Sequence, residues 1–552
     1  MKNISCKQLA EFFINNVDKE NIISEVFNYL GFDCAIRPFT KTDQLDCLIK
    51  EFSLSYNADI LSSIIELIQQ AKKTLQANDK EFLEQVKQYV NERLYDDITL
   101  EQIALDLYVS YYYLLHFFKQ NTGQSLNIYR TTKRLEKAMR LLINGNDKIS
   151  DVATKCGFNN ISYFSETFLK HVGKTPTEFK NEHANLIIHP FYNFEDILLA
   201  TKMDCMRFLD KSCKTKRIPF EISHVHDPSE EYGYFLHESA IIEYNGVLYA
   251  SWYNCHDTEL VGFTPIRERR SYDGGKTWTN PITIAEDKSG KILFCPPVYG
   301  ICDDKLYMLL NQMVSADYMH SLDLYVLDQK TDRFAKLWSR PIPFKLNTNV
   351  VNLPNGKLLL PGRIGELDGF PDVPAVMISD SGKIDAEWRI VNVAEDKFLP
   401  DNSDLIYPET TVICNQNDLY LFSRNDTRSV PLVYVSKDFG ETWSKVLSHD
   451  IPYIDSKIYC GQLSNGRYYL IANTDKHDRS KLSLFVSEKD SLKFTKRIEL
   501  FDSDYQCAYK FHYPCAYESN GNLYIIATAS YNGENIKGRG SILITLKTID
   551  LE

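Results

Sequence analysis

The chain has no apolar run near the ~18 residues that a membrane-spanning helix requires, so it is not expected to cross a bilayer. It also lacks any CxxC pair, and its 13 cysteines are odd in number and scattered. That excludes a disulfide framework and suits reduced thiols in a cytoplasm. The opening MKNISCKQLAEFF has neither a long apolar core nor a small-residue cleavage site, so no secretory signal is expected. Positive charge is in deficit, with a net charge of -12. Any contact with nucleic acid must therefore come from a local surface rather than from bulk charge. No metal and no cofactor is expected. What the chain does have is length: 552 residues, 44% of them hydrophobic, are enough for two to four domains at roughly 150 residues each.

The stretch from Asp97 to Glu182 contains one small device twice. In the first copy Ile98, Leu100, Ile103, Ala104 and Leu107 share a helical face. Ser110 then caps a second helix with Tyr113, Leu114, Phe117 and Phe118 as its core face, and Gly123 stops it. In the second copy Ile149, Val152 and Ala153 face inward, Gly157 makes the turn and Phe158 plugs it. Tyr163, Phe164 and Phe168 follow until Gly173. Two short helices joined by a glycine-bearing turn make a helix-turn-helix, whose second helix suits a DNA major groove. Outward positions on the first such helix include Ser110, Tyr111, Tyr112, Leu115, His116 and Lys119. On the second they are Asn159, Asn160, Ile161, Ser162, Ser165, Glu166 and Lys170. Asn can pair with adenine, Glu can accept from cytosine, and Lys119 and Lys170 suit phosphates. Arg130, Lys133, Arg134, Lys137 and Arg140 concentrate on the linking helix and read as further DNA contacts, against the plainer reading of a solvated helix face.

The motifs A-x-D-x-x-V-S-x-x-Y-L-x-x-F-F-K, R-L-E-K-A-x-x-L-L, I-S-D-V-A-x-x-C-G-F and G-K-T-P-T-E-F resemble those of the AraC/XylS family of transcription regulators. The resemblance implies sequence-specific binding of double-stranded DNA, with RNA polymerase a possible further partner. The chain departs from the family at Glu166, where members commonly carry a basic residue.

Residues 1–78 read as helical, and 79–182 as the DNA-binding domain. Ile60, Leu61, Ile64, Ile65, Ile68, Ala71 and Leu75 form a stripe that is either ordinary core or the seam of a homodimer. Residues 183–214 read as a connector. From about 215 to 552 the helical period gives way to short β-branched and aromatic runs. Six hairpins recur at 241–252, 298–310, 350–363, 411–424, 460–473 and 515–528, each turning on Asn, Asp or Gly. Six such units predict a six-bladed β-propeller, so the fold class is all-α followed by all-β. Two octapeptides, SYDGGKTW (271–278) and SKDFGETW (436–443), match the Asp-box S-x-D-x-G-x-T-W. In each, Asp273 or Asp438 is expected to fold a hairpin tip, helped by Gly275 or Gly440.

These features resemble the sialidase-like, Asp-box propeller superfamily. The resemblance implies the fold; the superfamily's enzymes use an arginine triad, a Tyr–Glu nucleophile pair and an aspartate acid. Here His237-Glu238-Ser239 stands where the first triad arginine is usual. Hairpin geometry brings the start of each first strand and the end of each second to one mouth of the propeller. That collects His237, Glu238 and Asn254; Asn311; Asn349 and Arg363; Glu409 and Arg424; Lys457 and Asn473; and His512 and Tyr513. Arg363, Arg424, His237, Glu238, Lys457 and His512 are the expected ligand-binding residues, for a carbohydrate or acidic sugar. Glu409 and Arg424 match the blade-four pair of sialidases, and Tyr513 with Glu409 would carry any catalysis. Three functions remain: a DNA-binding regulator with a sensing propeller, an intracellular glycoside hydrolase with a DNA-binding domain, and a propeller serving as an interaction platform.

Overall fold

The computed structural model describes residues 57–552 and isolated earlier positions, without 97, 108, 146, 185, 316–317, 365–372, 454, 475–478, 502–508 and 533–536. The side chains of 67–78, 509, 531, 532 and 537 are also outside the described set. The chain divides into two compact units: Met1–Ala138 with Asp147–Thr167, and Met139–Asn146 with Phe168–Glu552. Among the described residues no helix is long and apolar enough to cross a membrane.

In the first unit α1 spans Ala58–Glu92 and is capped by the Asn57 side chain on the Asp59 amide. Leu61, Ile64 and Ile65 are fully buried within the single chain. That part of the apolar stripe is therefore core and not an exposed seam. Ile68, Ala71 and Leu75 lie outside the described side chains.

Helices α2 (Leu100–Asp106) and α3 (Tyr111–Thr122) form the first helix-turn-helix. Ser110 accepts the Tyr113 amide at 3.2 Å, and Gly123 ends α3 in the left-handed conformation. The linking helix α4 spans Leu126–Asn144. It is followed by α5 (Ile149–Lys155), α6 (Ile161–Val172), α7 (Pro176–His183) and α8 (Phe194–Ala200). The turn before α6 depends on Gly157. Its φ is +74°, and a Cβ there would meet the Tyr95 backbone at 2.9 Å. Two residues expected in the core are not there: Tyr113 is 40% and Tyr163 58% exposed. Both sit in the third position of their helices. Tyr113 covers the flank of Phe117 at 5.6 Å instead of entering the core.

The all-β part is a six-bladed propeller. Blade one comprises Phe235–Tyr244, Val247–Cys255, Ile266–Ser271 and Ile282–Ala285. Blade two comprises Leu293–Cys302, Lys305–Met313, Met319–Asp328 and Arg333–Arg340. Blade three runs from Phe344–Leu346 through Leu358–Ile364 and Pro374–Ser379 to Arg389–Asn392. Blades four, five and six begin at Thr410–Asn415, Tyr459–Gln462 and Tyr509–Ser519.

Each blade's first long hairpin coincides with one of the six sequence hairpins. Asn245-Gly246, Asp303-Asp304 and Asn520-Gly521 place two consecutive residues at positive φ, as tight hairpins demand. Both Asp-boxes fold as expected. The Asp273 carboxylate accepts from the amides of Lys276 and Thr277 and from the Thr277 hydroxyl at 2.6–3.0 Å; Asp438 accepts from the Thr442 amide and hydroxyl.

The propeller begins earlier than residue 215. Cys205–Met206 pairs in parallel with Leu447–His449 of blade four, and Leu209–Lys216 with Phe494–Phe501 of blade five. Glu221–His226 then pairs antiparallel with Lys537–Lys547 and closes blade six. Half-polar, half-exposed sequences such as LDKSCKTK read as linker because they show no hydrophobic alternation. Edge strands do not need it.

Candidate functional site

Three innermost strands break register at corresponding places: between His237 and Ala240, between Phe294 and Pro297, and between His512 and Cys515. In two of the three, Pro296 and Pro514 lie in the gap and have no amide hydrogen to give a ladder, so pairing lapses there. The lapses re-aim the intervening side chains, as bulges beside functional sites do. Glu238 and Tyr513 sit in them at φ +49° and +48°. Leu260 (+52°) and Tyr407 (+49°) share that strained region.

All four line one cavity of about 310 Å³, together with Glu259, Lys345, Arg363, Glu409, Arg424 and Asp426. The centre of the site is the guanidinium of Arg424. Its Nη1 donates to Glu409 Oε2 at 2.8 Å and to the Tyr513 hydroxyl at 2.5 Å. Its Nη2 donates to Asp426 Oδ2 at 2.6 Å, and its Nε to Asp426 Oδ1. Four of its five N–H groups are thus engaged. Burial opposes this charge, but Tyr513, Glu409 and Asp426 outweigh it and hold Arg424 more firmly protonated than usual. Burial likewise works against the Glu409 carboxylate, and Arg424, Lys457 and Arg363 together keep it below its ordinary range.

Lys457 donates to Glu238 at 2.7 Å, in a pair almost sealed from water. Burial penalises the ammonium; Glu238 and Glu409 nevertheless raise it. Burial and the charge of Glu409 push the Tyr513 hydroxyl well above its usual range, so it is a neutral phenol. Arg424 bonds to both Glu409 and Tyr513 and stands where direct base activation of the phenol would need Glu409 alone.

Of the expected ligand residues, Glu238, Arg363 and Arg424 line the cavity beside Glu409 and Tyr513, and Lys457 reaches it through Glu238. His237 and His512 do not line it. His237 stacks on the Tyr513 ring at 4.2 Å, and His512 lies between Arg479 and the Ser530 hydroxyl, 2.8 Å from each. Burial drives both imidazoles well below their ordinary range, aided by neighbouring arginines. His237 is therefore neutral and is no substitute for a triad arginine. The asparagines are mostly structural: Asn311 bridges to the backbone of Phe344 and Leu346, and Asn473 to Phe511. Asn349 donates to the Tyr459 hydroxyl at 3.1 Å.

Sequence reasoning missed Glu259, Lys345, Tyr407 and Asp426. Asp426 was the most accessible of these, since it lies two residues past Arg424. Glu259 accepts the Tyr253 hydroxyl at 2.8 Å, and the surrounding protein and the charge of Glu238 raise its carboxyl above the usual range.

On the helix-turn-helix units, Ser110, Tyr112, His116, Lys119, Asn159, Asn160, Ser162, Glu166 and Lys170 are exposed, as expected of a groove-facing surface. Tyr111 and Ser165 are half-buried, and Tyr111 packs against the core of its unit. Asn160 caps α6 through its Oδ1 on the Tyr163 amide at 3.0 Å. The linking-helix arginines are committed elsewhere. Arg130 donates to the carbonyls of Ile98 and Asp96, Arg134 to those of Leu94 and Asp96, and Arg140 to those of His189 and Tyr192. They satisfy chain turns. Lys133 pairs with Glu136, which leaves Lys137 as the exposed cation of that cluster.

Comparison with known proteins agrees with this division. Residues 81–182 match the family described as helix-turn-helix domain. Residues 246–525, 280 of the 552, match the BNR repeat-like domain family. The chain belongs to the BNR repeat-like family. It joins that propeller to an AraC-type helix-turn-helix domain. The uncharacterized HTH-type transcriptional regulator YijO of Escherichia coli K12 is 31% identical over 144 residues, 26% of this BNR-repeat chain and 48% of that protein. The regulatory protein PocR of Salmonella typhimurium LT2 is 31% identical over 102 residues, 18% of this chain and 33% of that one. The chain spans about half the length of the curated relatives it matches. Trypanosoma rangeli sialidase in complex with sialic acid is 14% identical with a TM-score of 0.46, over 60% of this chain and 59% of that one. Likeness of that degree says nothing of catalysis.

Proposed function

We propose that this chain is a sequence-specific, DNA-binding transcription regulator of the AraC type, acting in the cytoplasm. Residues 79–182 form its DNA-binding domain, and its propeller senses a carbohydrate or acidic sugar. The observation that carries the sensing half is the cavity around Arg424, where four carboxylates and three cations surround two tyrosines. Alternating donors and acceptors in a walled site suit a polyhydroxylated ligand. Strained backbone at Glu238, Leu260, Tyr407 and Tyr513 is a cost that a scaffold without a ligand has no need to bear. RNA polymerase and a second copy of the chain remain proposed partners; the buried part of the α1 stripe lends the homodimer no support.

The test is calorimetric titration of the full chain with sialic acids, uronic acids and neutral sugars, followed by DNA binding with and without any sugar that binds. Saturable binding that changes DNA affinity is expected. Absence of binding across the panel overturns the sensor.

A second reading, a sialidase-like glycoside hydrolase, draws on one observation. Glu259 faces the same cavity as Tyr513, and its raised carboxyl suits a proton donor. Against it stands the neutral, strongly held Tyr513 phenol. Turnover of the same sugars as glycosides decides between the two.

A further inference from the structure

The first turns of both recognition helices present apolar surface where hydrogen-bonding readers are usual. In α3 the second residue, Tyr112, is 82% exposed; in α6 the first residue, Ile161, is 50% exposed. Bidentate reading of guanine takes Arg or Lys at such positions. Here the lysines come late: Lys119 is the ninth residue of α3 and Lys170 the tenth of α6, positions that suit phosphates. Asn160, the best polar candidate beside Ile161, already uses its Oδ1 as a cap.

Ile161 can make no hydrogen bond with its side chain. The major groove offers it one apolar partner, the thymine 5-methyl group. Tyr112 likewise presents a ring that water covers poorly and a methyl covers well.

Resting on the DNA-binding reading above, we infer that Tyr112 and Ile161 read thymine 5-methyl groups, so that the DNA site is specified at those steps by apolar contact. Each first turn meets a thymine, while Glu166 is left to accept from a cytosine amino group on the neighbouring pair.

The test begins with duplexes enriched from a random library by the full chain. Each thymine of an enriched duplex is then changed singly to uracil, which removes only the methyl. Losing one buried methyl costs roughly fourfold in affinity. The wild type should show that loss at two or more thymines. Ile161→Ala should be indifferent to uracil at one of them, and Tyr112→Ala at another, each keeping its sensitivity elsewhere. Both side chains are exposed, and the uracil series on the wild type does not depend on either variant folding. An enriched duplex that tolerates uracil everywhere overturns the inference and leaves DNA binding intact. Losses from uracil and from Ala that simply add overturn the pairing. No enrichment of any duplex overturns both readings.

Discussion

Arg424 and Glu409 are joined twice. Their side chains pair at 2.8 Å, and the Arg424 amide donates to the Glu409 carbonyl at 2.8 Å. A hairpin places the two side by side, and burial makes each depend on the other.

Arg424→Ala should therefore destabilise the propeller before it reports on any ligand. Removing one partner of a buried pair costs about 3–5 kcal/mol, because the other charge is left buried. Urea unfolding should show the shift; coincident midpoints for wild type and variant would mean that the network contributes nothing.

Asp426→Ala is the better probe of ligand recognition. It releases the Nε and Nη2 groups that Asp426 holds. An incoming carboxylate gains charge-assisted hydrogen bonds of about 1.5–3 kcal/mol, so an acidic sugar should bind the variant tenfold or more tightly. Calorimetry checks this, with a neutral sugar as the control that should not gain.

Asn160 calls for a pair of substitutions. Asn160→Ala loses the cap of α6, worth about 1 kcal/mol, whatever it does to base reading. Asn160→Ser keeps a capping oxygen. Thermal melts should separate the two variants, and a loss of DNA specificity in the Ser variant, whose cap is kept, would assign base reading to Asn160.

Gly157→Ala should unseat the second helix-turn-helix. Its positive φ and the 2.9 Å approach to Tyr95 combine strain with a backbone clash, for about 1–3 kcal/mol. A melting temperature equal to that of wild type would show that the turn can relax.

Glu268 should make stability fall as pH rises. Burial, opposed by Arg270, raises its carboxyl to about 7. The folded state thus holds a proton that the unfolded chain releases near pH 4.3. Between those values the unfolded state binds fewer protons, so stability declines with pH, most steeply by about 1.4 kcal/mol per unit. Denaturation at pH 5 and pH 8 should show this fall in the wild type and a smaller one in Glu268→Gln.

Much of the fold could be read from local rules. Asn-Gly and Asp-Asp turns, Asp-boxes and helix caps act over a few residues, and the structure honours them. Glu409 and Arg424 could be paired because hairpin register alone brings them together. The failures lie where distance in sequence hides the partner. The linking-helix arginines look like a DNA surface until the carbonyls of Leu94, Asp96 and Ile98 are in view. Glu259 and Tyr407 enter the cavity from loops with no period to read. His237 occupies a strand position that faces the mouth, yet the neighbouring bulge turns Glu238 inward and stacks His237 behind Tyr513.

The leading strands of the propeller run past blades four, five and six before blade one begins. On the ribosome, they are made before the blades they border. Their partners, Leu447–His449, Phe494–Phe501 and Lys537–Lys547, emerge hundreds of residues later. Cys205–Met206 must therefore wait unpaired while three blades and most of a fourth are synthesised, and Glu221–His226 until five are complete. The leading strands meet their partners in the order in which they are made, and the ring locks only once Lys537–Lys547 is in place.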